Sequence, residues 1–253
     1  MQIDIRWDVE KLRRDISADR KQVPYATSRA INSVLKYASS AVTAEMQRVL
    51  DRPTPWTLNS YRVLKATRKD DLVGIVGFKN VDYKGGPGGV KRNEAGVYLQ
   101  PLMSGTARQP KGLERLMRSR GILYQNEFLV PSKFQKLDSY GNVSRGVMQK
   151  IAANLSANWD PLNNTPAGGA RGGKKKPDYF FTRRGIRGQR ITAIWHNFGA
   201  RGGQNAVPVF IVVGSPPQYK KIFDHEAVVQ RQVDLRFNSE FESAYAQAIA
   251  TAR

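Results

Sequence analysis

Between Val23 and Val49 the apolar residues recur at steps of three and four: Val23, Ala26, Ala30, Ile31, Val34, Leu35, Ala38, Ala41, Val42, Met46 and Val49. Residues three and four apart share one face of an α-helix, so this is the helical period. The pattern predicts one helix over 24–50, about 40 Å long at 1.5 Å per residue. Pro24 suits the first turn, where its missing N–H leaves nothing unpaired. Ala26, Ala30, Ala38 and Ala41 make much of the stripe small. A second backbone can then approach closely, and the helix is expected to lie flat on a sheet or another helix. Asp51-Arg52-Pro53-Thr54-Pro55 ends it. Trp56 is expected to anchor the turn.

Shorter segments follow. An amphipathic helix is expected at 8–17, ahead of the long one. Residues 61–67 and 72–78 read as strands, with Arg68, Lys69, Asp70 and Asp71 as the hairpin turn. Residues 81–93 read as a Gly-rich loop, 97–103 as a strand cut by Pro101, and 113–118 as a short basic helix. Residues 126–130 read as a strand ended by Pro131. Ser144 is placed to cap a helix through about Leu155, with Val147, Met148, Ile151 and Leu155 on one face. No apolar period survives over 158–177, which reads as a mobile loop or linker. Strands resume at 179–183, 191–198 and 207–213. The last is apolar throughout and is expected to be buried on both faces. Residues 226–252 read as a second long helix, with Val229, Val233, Phe237, Phe241, Ala244, Tyr245, Ala248 and Ile249 in its stripe.

This order predicts an α+β fold: a mostly antiparallel sheet packed by two long helices, N-terminal and C-terminal, with Gly/Lys-rich flexible loops and a middle insertion. Residues 1–253 are expected to form a single structural domain, in which 105–177 is an insertion or subdomain. No internal repeat is visible.

Composition narrows the function. The 253 residues include 41 Lys+Arg and 21 Asp+Glu, a net charge of +20. There is no cysteine, so a disulfide framework, a thiolate zinc site, an iron–sulfur cluster and a cysteine nucleophile are excluded. His196 and His225 are the only histidines, too few for a multi-histidine metal site. No run of about 18 apolar residues exists, so no membrane span is expected. The charged N-terminus lacks the apolar core of a secretory signal, and folding in a reducing cytosol is the expectation. The charge implies a polyanionic partner or an acidic protein surface. It is uneven: residues 223–253 hold five acids and three bases, a net −2 against a basic remainder.

Few residue constellations carry chemistry. Gly168 to Lys174 has the G-x-x-x-x-G-K spacing of a phosphate loop, but Lys175 stands where Ser or Thr would hold magnesium. A strand before and a helix after are also missing, so a basic loop is the better reading. Lys174, Lys175, Lys176, Arg183, Arg184, Arg187 and Arg190 form the densest basic run, interleaved with Tyr179, Phe180 and Phe181. Cations beside aromatic rings suit single-stranded nucleic acid. Solvated cations beside a strand whose rings face the core are the plainer alternative. If all seven met phosphates, binding would weaken with a log–log salt slope of about −6. His196, in an apolar run, reads as a packed residue. In Asp224-His225-Glu226, Asp224 reads as the cap of the last helix, with Glu226 at the positive end of its dipole. Asp70-Asp71 reads as a turn, with no third carboxylate beside it to hold magnesium. No nucleophile elbow or other reaction motif is present. The reading is therefore non-enzymatic, with no cofactor and no metal. A metal-dependent nuclease or a peptidoglycan-acting enzyme is the weakest alternative.

Val23-Pro24-Tyr25-Ala26-Thr27-Ser28-Arg29-Ala30-Ile31-Asn32-Ser33-Val34 resembles the opening of the minor tail protein Z family of long-tailed bacteriophages, also called tail completion proteins. The likeness continues loosely through Leu50. Phe128-Leu129-Val130-Pro131, then Lys136-Leu137-Asp138-Ser139-Tyr140-Gly141-Asn142-Val143-Ser144-Arg145-Gly146, and the amphipathic stretch 237–253 resemble larger proteins of phage structural clusters. The resemblance covers about a third of the chain, in patches, and its motifs have no catalytic spacing. The chain is longer than the usual member because of the region around 105–177. The resemblance implies a structural virion protein, made in the host cytoplasm. It would complete the head-proximal end of the tail or the neck and join the tail to the head connector. The implied partners are tail terminator, tail tube or head–tail connector proteins, copies of the chain closing a ring, and genomic DNA, with no membrane. The alternative is a nucleic-acid-binding protein using the basic 174–190 segment.

Overall fold

A computed structural model describes residues 2–5, 22–67, 72–79, 95–158, 160, 162, 164, 178–184, 190–198 and 206–251. The helix expected at 8–17, the turn at Asp70-Asp71, the Gly-rich loop at 81–93 and most of 158–177 lie outside them. The chain is α+β and divides into two compact units, Met1–Thr106 with Lys220–Arg253, and Ala107–Tyr219. The second unit begins close to the expected start of the insertion and runs past its expected end, so the strands after 177 belong to it.

The first unit holds β1 (Gln2–Ile5), α1 (Gln22–Val49), α2 (Pro55–Leu58), β2 (Tyr61–Leu64), β3 (Gly74–Phe78), α3 (Ala95–Ser104) and α6 (His225–Thr251). Its sheet is antiparallel in the order β1-β3-β2, with Tyr61 opposite Phe78 and Leu64 opposite Ile75. The long helix forms as its period demands, and its stripe is buried: Ala26, Leu35, Ala38, Val42 and Met46 lose essentially all exposure. It passes so close to β3 that a Cβ on Gly74 would sit 2.4 Å from Leu35 Cδ1 and 2.6 Å from Ile31 Cγ2. Any larger residue there would displace the buried side chains of Leu35 and Ile31.

The small face of α1 receives large side chains from α6. Val229, Val233, Phe237, Phe241, Ala244 and Ala248 are buried at steps of three and four. Phe237, Phe241 and Tyr245 stack in succession, with ring centroids 6.3 and 5.9 Å apart. Arg236 caps Tyr37, its guanidinium 4.0 Å from the ring centroid. One core joins both helices to Tyr61, Val76, Phe78, Leu99 and Phe223. Where the chain leaves and re-enters this unit, Leu102 O accepts from the N–H groups of Ile222 and Phe223.

The second unit holds α4 (Gly112–Ser119), β4 (Phe128–Pro131), α5 (Arg145–Asn154), β5 (Tyr179–Arg184), β6 (Arg190–Asn197) and β7 (Ala206–Val213). Its own antiparallel sheet runs β4-β7-β6-β5. The molecule thus has two sheets where one was expected. The ends of this unit meet, Ala107 bridging Gln218. Ser144 caps α5 as expected, its Oγ accepting from Val147 N–H, and Ile151 and Leu155 are buried with Val147 and Met148 packed beside them.

Two local expectations are corrected. Residues 97–103 form helix α3, not a strand: Ala95, Leu99, Leu102 and Met103 recur at helical steps and reach the core. Pro101 sits inside that helix, and its carbonyl accepts from Gly105 N–H at 2.9 Å. Trp56 is exposed at the turn, where Thr54 caps the short helix, its Oγ1 accepting from Thr57 N–H. In β7, Val209 and Phe210 are buried in the same core, with the β6–β7 register shifting beside Val209, but Ile211 is 46% exposed, so the strand is not buried along both faces.

Asp224 caps α6 as expected, Oδ1 accepting from Ala227 N–H at 3.1 Å and Oδ2 paired with Lys221. His225, the next residue, is buried among Tyr61, Phe78 and Phe223. Its Nδ1 lies 3.1 Å from the Tyr61 hydroxyl, and its Nε2 is buried without a hydrogen-bond partner among the described residues. Burial pushes the imidazole below its ordinary range, against the pull of Glu226 and Asp224 in the other direction. The folded protein therefore holds a neutral ring where the unfolded chain takes up a proton near pH 6.5. The stability this contributes is complete above about pH 6.5 and is lost as pH falls below it. Thermal denaturation is expected to show the melting temperature dropping between about pH 7.5 and 5.5. His225→Gln, which keeps a polar partner for Tyr61, is expected to flatten that drop. Parallel curves for both proteins would exclude His225 as the source.

Candidate functional site

The seven cations of the basic run divide. Lys174, Lys175, Lys176 and Arg187 lie outside the described residues. Arg183 and Arg184 end β5 and Arg190 opens β6. The register sets Arg184 opposite Arg190 and Arg183 opposite Ile191, so the backbone brings three arginines to one end of the β5–β6 pair. Of the interleaved aromatics, Phe180 is half-buried and the other two reach the core. Tyr179 is buried and Phe181 packs on the same core. Tyr179 also stacks on His196 at 4.5 Å, and His196 meets Phe198 edge-on at 4.2 Å. His196 is thus held between rings, as its apolar surroundings suggest.

A second feature of this unit is absent from the sequence-based list of candidates. Residues 132–143 form a surface loop stiffened from within. Ser132 ties its start to β7, its N–H donating to Val209 O at 3.0 Å and its hydroxyl to Pro208 O. Leu137 and Val143 form a bridge across the loop. Inside it, Asp138 Oδ1 accepts from the N–H groups of Tyr140 and Asn142 at 2.9 and 2.8 Å. Gly141 takes the left-handed backbone, φ +76°, that the turn requires. The consequence is a fixed display of apolar side chains: Phe134, Leu137 and Tyr140 are all more than 40% exposed. Lys133, Lys136 and Arg145 are exposed around them, with the Lys133 ammonium 5.2 Å from the Phe134 ring centroid. The only local carboxylate, on Asp138, is already engaged by backbone donors. A loop this ordered with an apolar centre and a basic rim can receive a partner without first paying for its own ordering.

The base of the loop is β4, held by a buried ion pair. Glu114, on α4, is 1% exposed and Arg108 9%. Glu114 accepts from Arg108 Nη1 and Nη2 at 2.8 and 2.6 Å, from Lys111 N–H at 2.6 Å and from Leu129 N–H at 2.7 Å. Arg108 Nη2 also donates to Leu129 O. Burial pushes the Glu114 carboxyl up, but the guanidinium and the two amides outweigh it and hold it below the usual carboxylate range. The adjoining Phe128 ring lies under two guanidiniums, Arg118 at 4.7 Å and Arg108 at 5.2 Å. Arg118 is fixed in turn by donating to Glu127 O at 2.7 Å. The sequence signal for this network is faint. Glu114 is the one acid in a basic helix, and its capping partner is Lys111 rather than Ser or Thr.

Removing one member of a buried, fully bonded pair strands the other charge, at a cost of about 3–5 kcal/mol. Glu114→Gln is therefore expected to destabilise Ala107–Tyr219. Hydrogen exchange should quicken in α4, β4 and the 132–143 loop while α1 and α6 keep their protection. Unchanged exchange in β4 would contradict this role for the pair.

Among the described residues, no group of three or more histidines and acids is arranged to hold a metal ion, and no helix is long and apolar enough to cross a membrane. Comparison with protein-family models, with curated proteins and with solved structures gave no match to this chain.

Proposed function

We propose that the chain is a structural protein of a tailed-phage particle, completing the head-proximal end of the tail or the neck without catalysis. The observation that carries this reading is the 132–143 loop. Its residues 136–143 lie in one of the stretches that resemble phage structural proteins, and it displays Phe134, Leu137 and Tyr140 together with the exposed cations Lys133, Lys136 and Arg145. Exposed apolar groups of this kind, rimmed by polar ones, mark protein contacts. The other two resembling stretches, 23–50 and 237–253, largely coincide with α1 and the second half of α6. The charge of +20 supports an acidic neighbour, which in this reading is a tail terminator, tail tube or connector protein, or the DNA threaded past them. Copies of the chain would close a ring if head-to-tail contacts repeat with a rotation that closes.

A second reading, nucleic-acid binding through the basic run, has one observation in its favour. Arg184 stands directly opposite Arg190 in the ladder, an arrangement of like charges that costs stability unless an anion offsets it.

Gold-labelled antibody on intact virions tests the first reading, with label expected at the head–tail junction. Phe134→Ala with Tyr140→Ala is expected to leave the melting temperature within about 1 °C, since both side chains are exposed. The same double variant should lower the yield of joined particles at least tenfold. Full joining by the variant, or protein confined to infected cells and missing from particles, would overturn the proposal.

A further inference from the structure

The first unit carries a polar cleft of about 300 Å³ between α1 and α6, closed at one side by the residues that follow β2. Arg29 and Lys36 reach it from α1, Lys65 from the segment after β2, and Glu240 from α6. Three cations thus surround one carboxylate, although α6 belongs to the acidic end of the chain.

The placement of Lys65 is built in. Asn32, one turn from Arg29 and Lys36, donates from Nδ2 to Ala66 O and accepts at Oδ1 from Ala66 N–H, both at 2.9 Å. Its side-chain amide mimics a neighbouring strand and clamps the chain after β2 to the helix. Ala66 itself is buried in the core, so the clamp is anchored from below. Lys65 is exposed beside it, and neither Lys65 nor Lys36 forms an ion pair among the described residues. Arg29 is oriented along the helix by its 3.0 Å donation to the Tyr25 hydroxyl. Three cations and one carboxylate give the cleft a net positive lining that favours an anion.

The donor set selects the anion. A guanidinium and an ammonium from α1 and an ammonium from the chain after β2 line the cleft, and the hydroxyls of Ser33 on α1 and Ser243 on α6 add neutral donors, so donors come from three segments. A carboxylate offers one charge and two oxygens in a plane. A phosphate monoester offers close to two charges and three oxygens in three directions, which suits donors arriving from three sides. The volume is at the small end of ligand sites, room for a phosphate and a compact group attached to it. Glu240 remains as an acceptor for a hydroxyl on that group, and as a charge that moderates affinity for the anion.

We infer that this cleft binds a phosphate group, carried either by a small phosphate ester or by the phosphorylated end of a nucleic acid. The inference does not depend on the virion reading, because it concerns the other unit and a ligand rather than a protein neighbour.

Calorimetric titration of the full chain tests it, at about 0.3 M salt to suppress binding through net charge alone. Inorganic phosphate is expected to bind saturably at one site, with Kd on the order of 1 mM. Lys36→Gln with Lys65→Gln should weaken it at least tenfold, and Arg115→Gln with Lys150→Gln, of equal charge change in the other unit, should not. Glu240→Gln should tighten binding severalfold, which a residue with only a structural role would not do. Ribose 5-phosphate and a 5′-phosphorylated tetrathymidylate separate the two sources. Whichever binds more tightly should lose that advantage in the Lys36/Lys65 double variant. Absence of saturable phosphate binding, or equal binding by the double variant and the Arg115/Lys150 control, would overturn the proposal.

Discussion

The first unit depends on one contact, the packing of the small face of α1 against the aromatic stripe of α6. Ala26, Ala30, Ala38, Phe237 and Phe241 are buried in one core, and among the described residues neither helix has another partner of comparable extent. Each is amphipathic and too polar overall to be stable alone, so its stability is tertiary. The sheet depends on the pair too, because β3 reaches the core by passing under Leu35 and Ile31 at Gly74. His225 at the start of α6 and Tyr61 at the start of β2 tie the acidic end of the chain to the sheet by a buried hydrogen bond.

These helices stand at opposite ends of the sequence. Closing a flexible loop of some 175 residues between them would cost about 4–5 kcal/mol in chain entropy. The second unit lessens that cost. It has its own core of Leu113, Met117, Ile151, Ile194 and Phe210, and its ends are bridged at Ala107 and Gln218. Once it folds, the loop that α1 and α6 must close is shorter by the whole of Ala107–Tyr219. An insertion whose ends meet is compatible with a host whose exit and entry are also tied, here at Leu102 with Ile222 and Phe223.

Periodic features were legible in the sequence. α1, α5 with its Ser144 cap, the β2–β3 pair and α6 with its Asp224 cap could be read because each has several residues reporting one period or one cap. What escaped had too few. Residues 97–103 hold only two helical turns, and Val97, Tyr98 and Pro101 argue for an extended chain; burial of Leu99 and Pro101 decides otherwise. The division into two sheets is set by which strands share a core, and alternation along a strand carries no information on that. The 132–143 display and the Arg108–Glu114 network join residues through a turn and across 21 positions. The phosphate-cleft residues come together from three segments far apart in sequence. The total charge was legible but its use was not. Arg108, Arg118 and Arg236 are consumed by packing on Phe128 and Tyr37, whereas Lys36, Lys65, Lys133 and Lys136 face solvent.

The most direct test of this architecture is native-state hydrogen exchange across the full chain in low denaturant. Amides of α1, α6 and β3 are expected to share one opening free energy and one denaturant dependence, as a single cooperative body. Those of β4, β6, β7 and α5 should share another. Exchange of α6 at the rate of a frayed end, while α1 stays protected, would show that the two helices do not depend on each other.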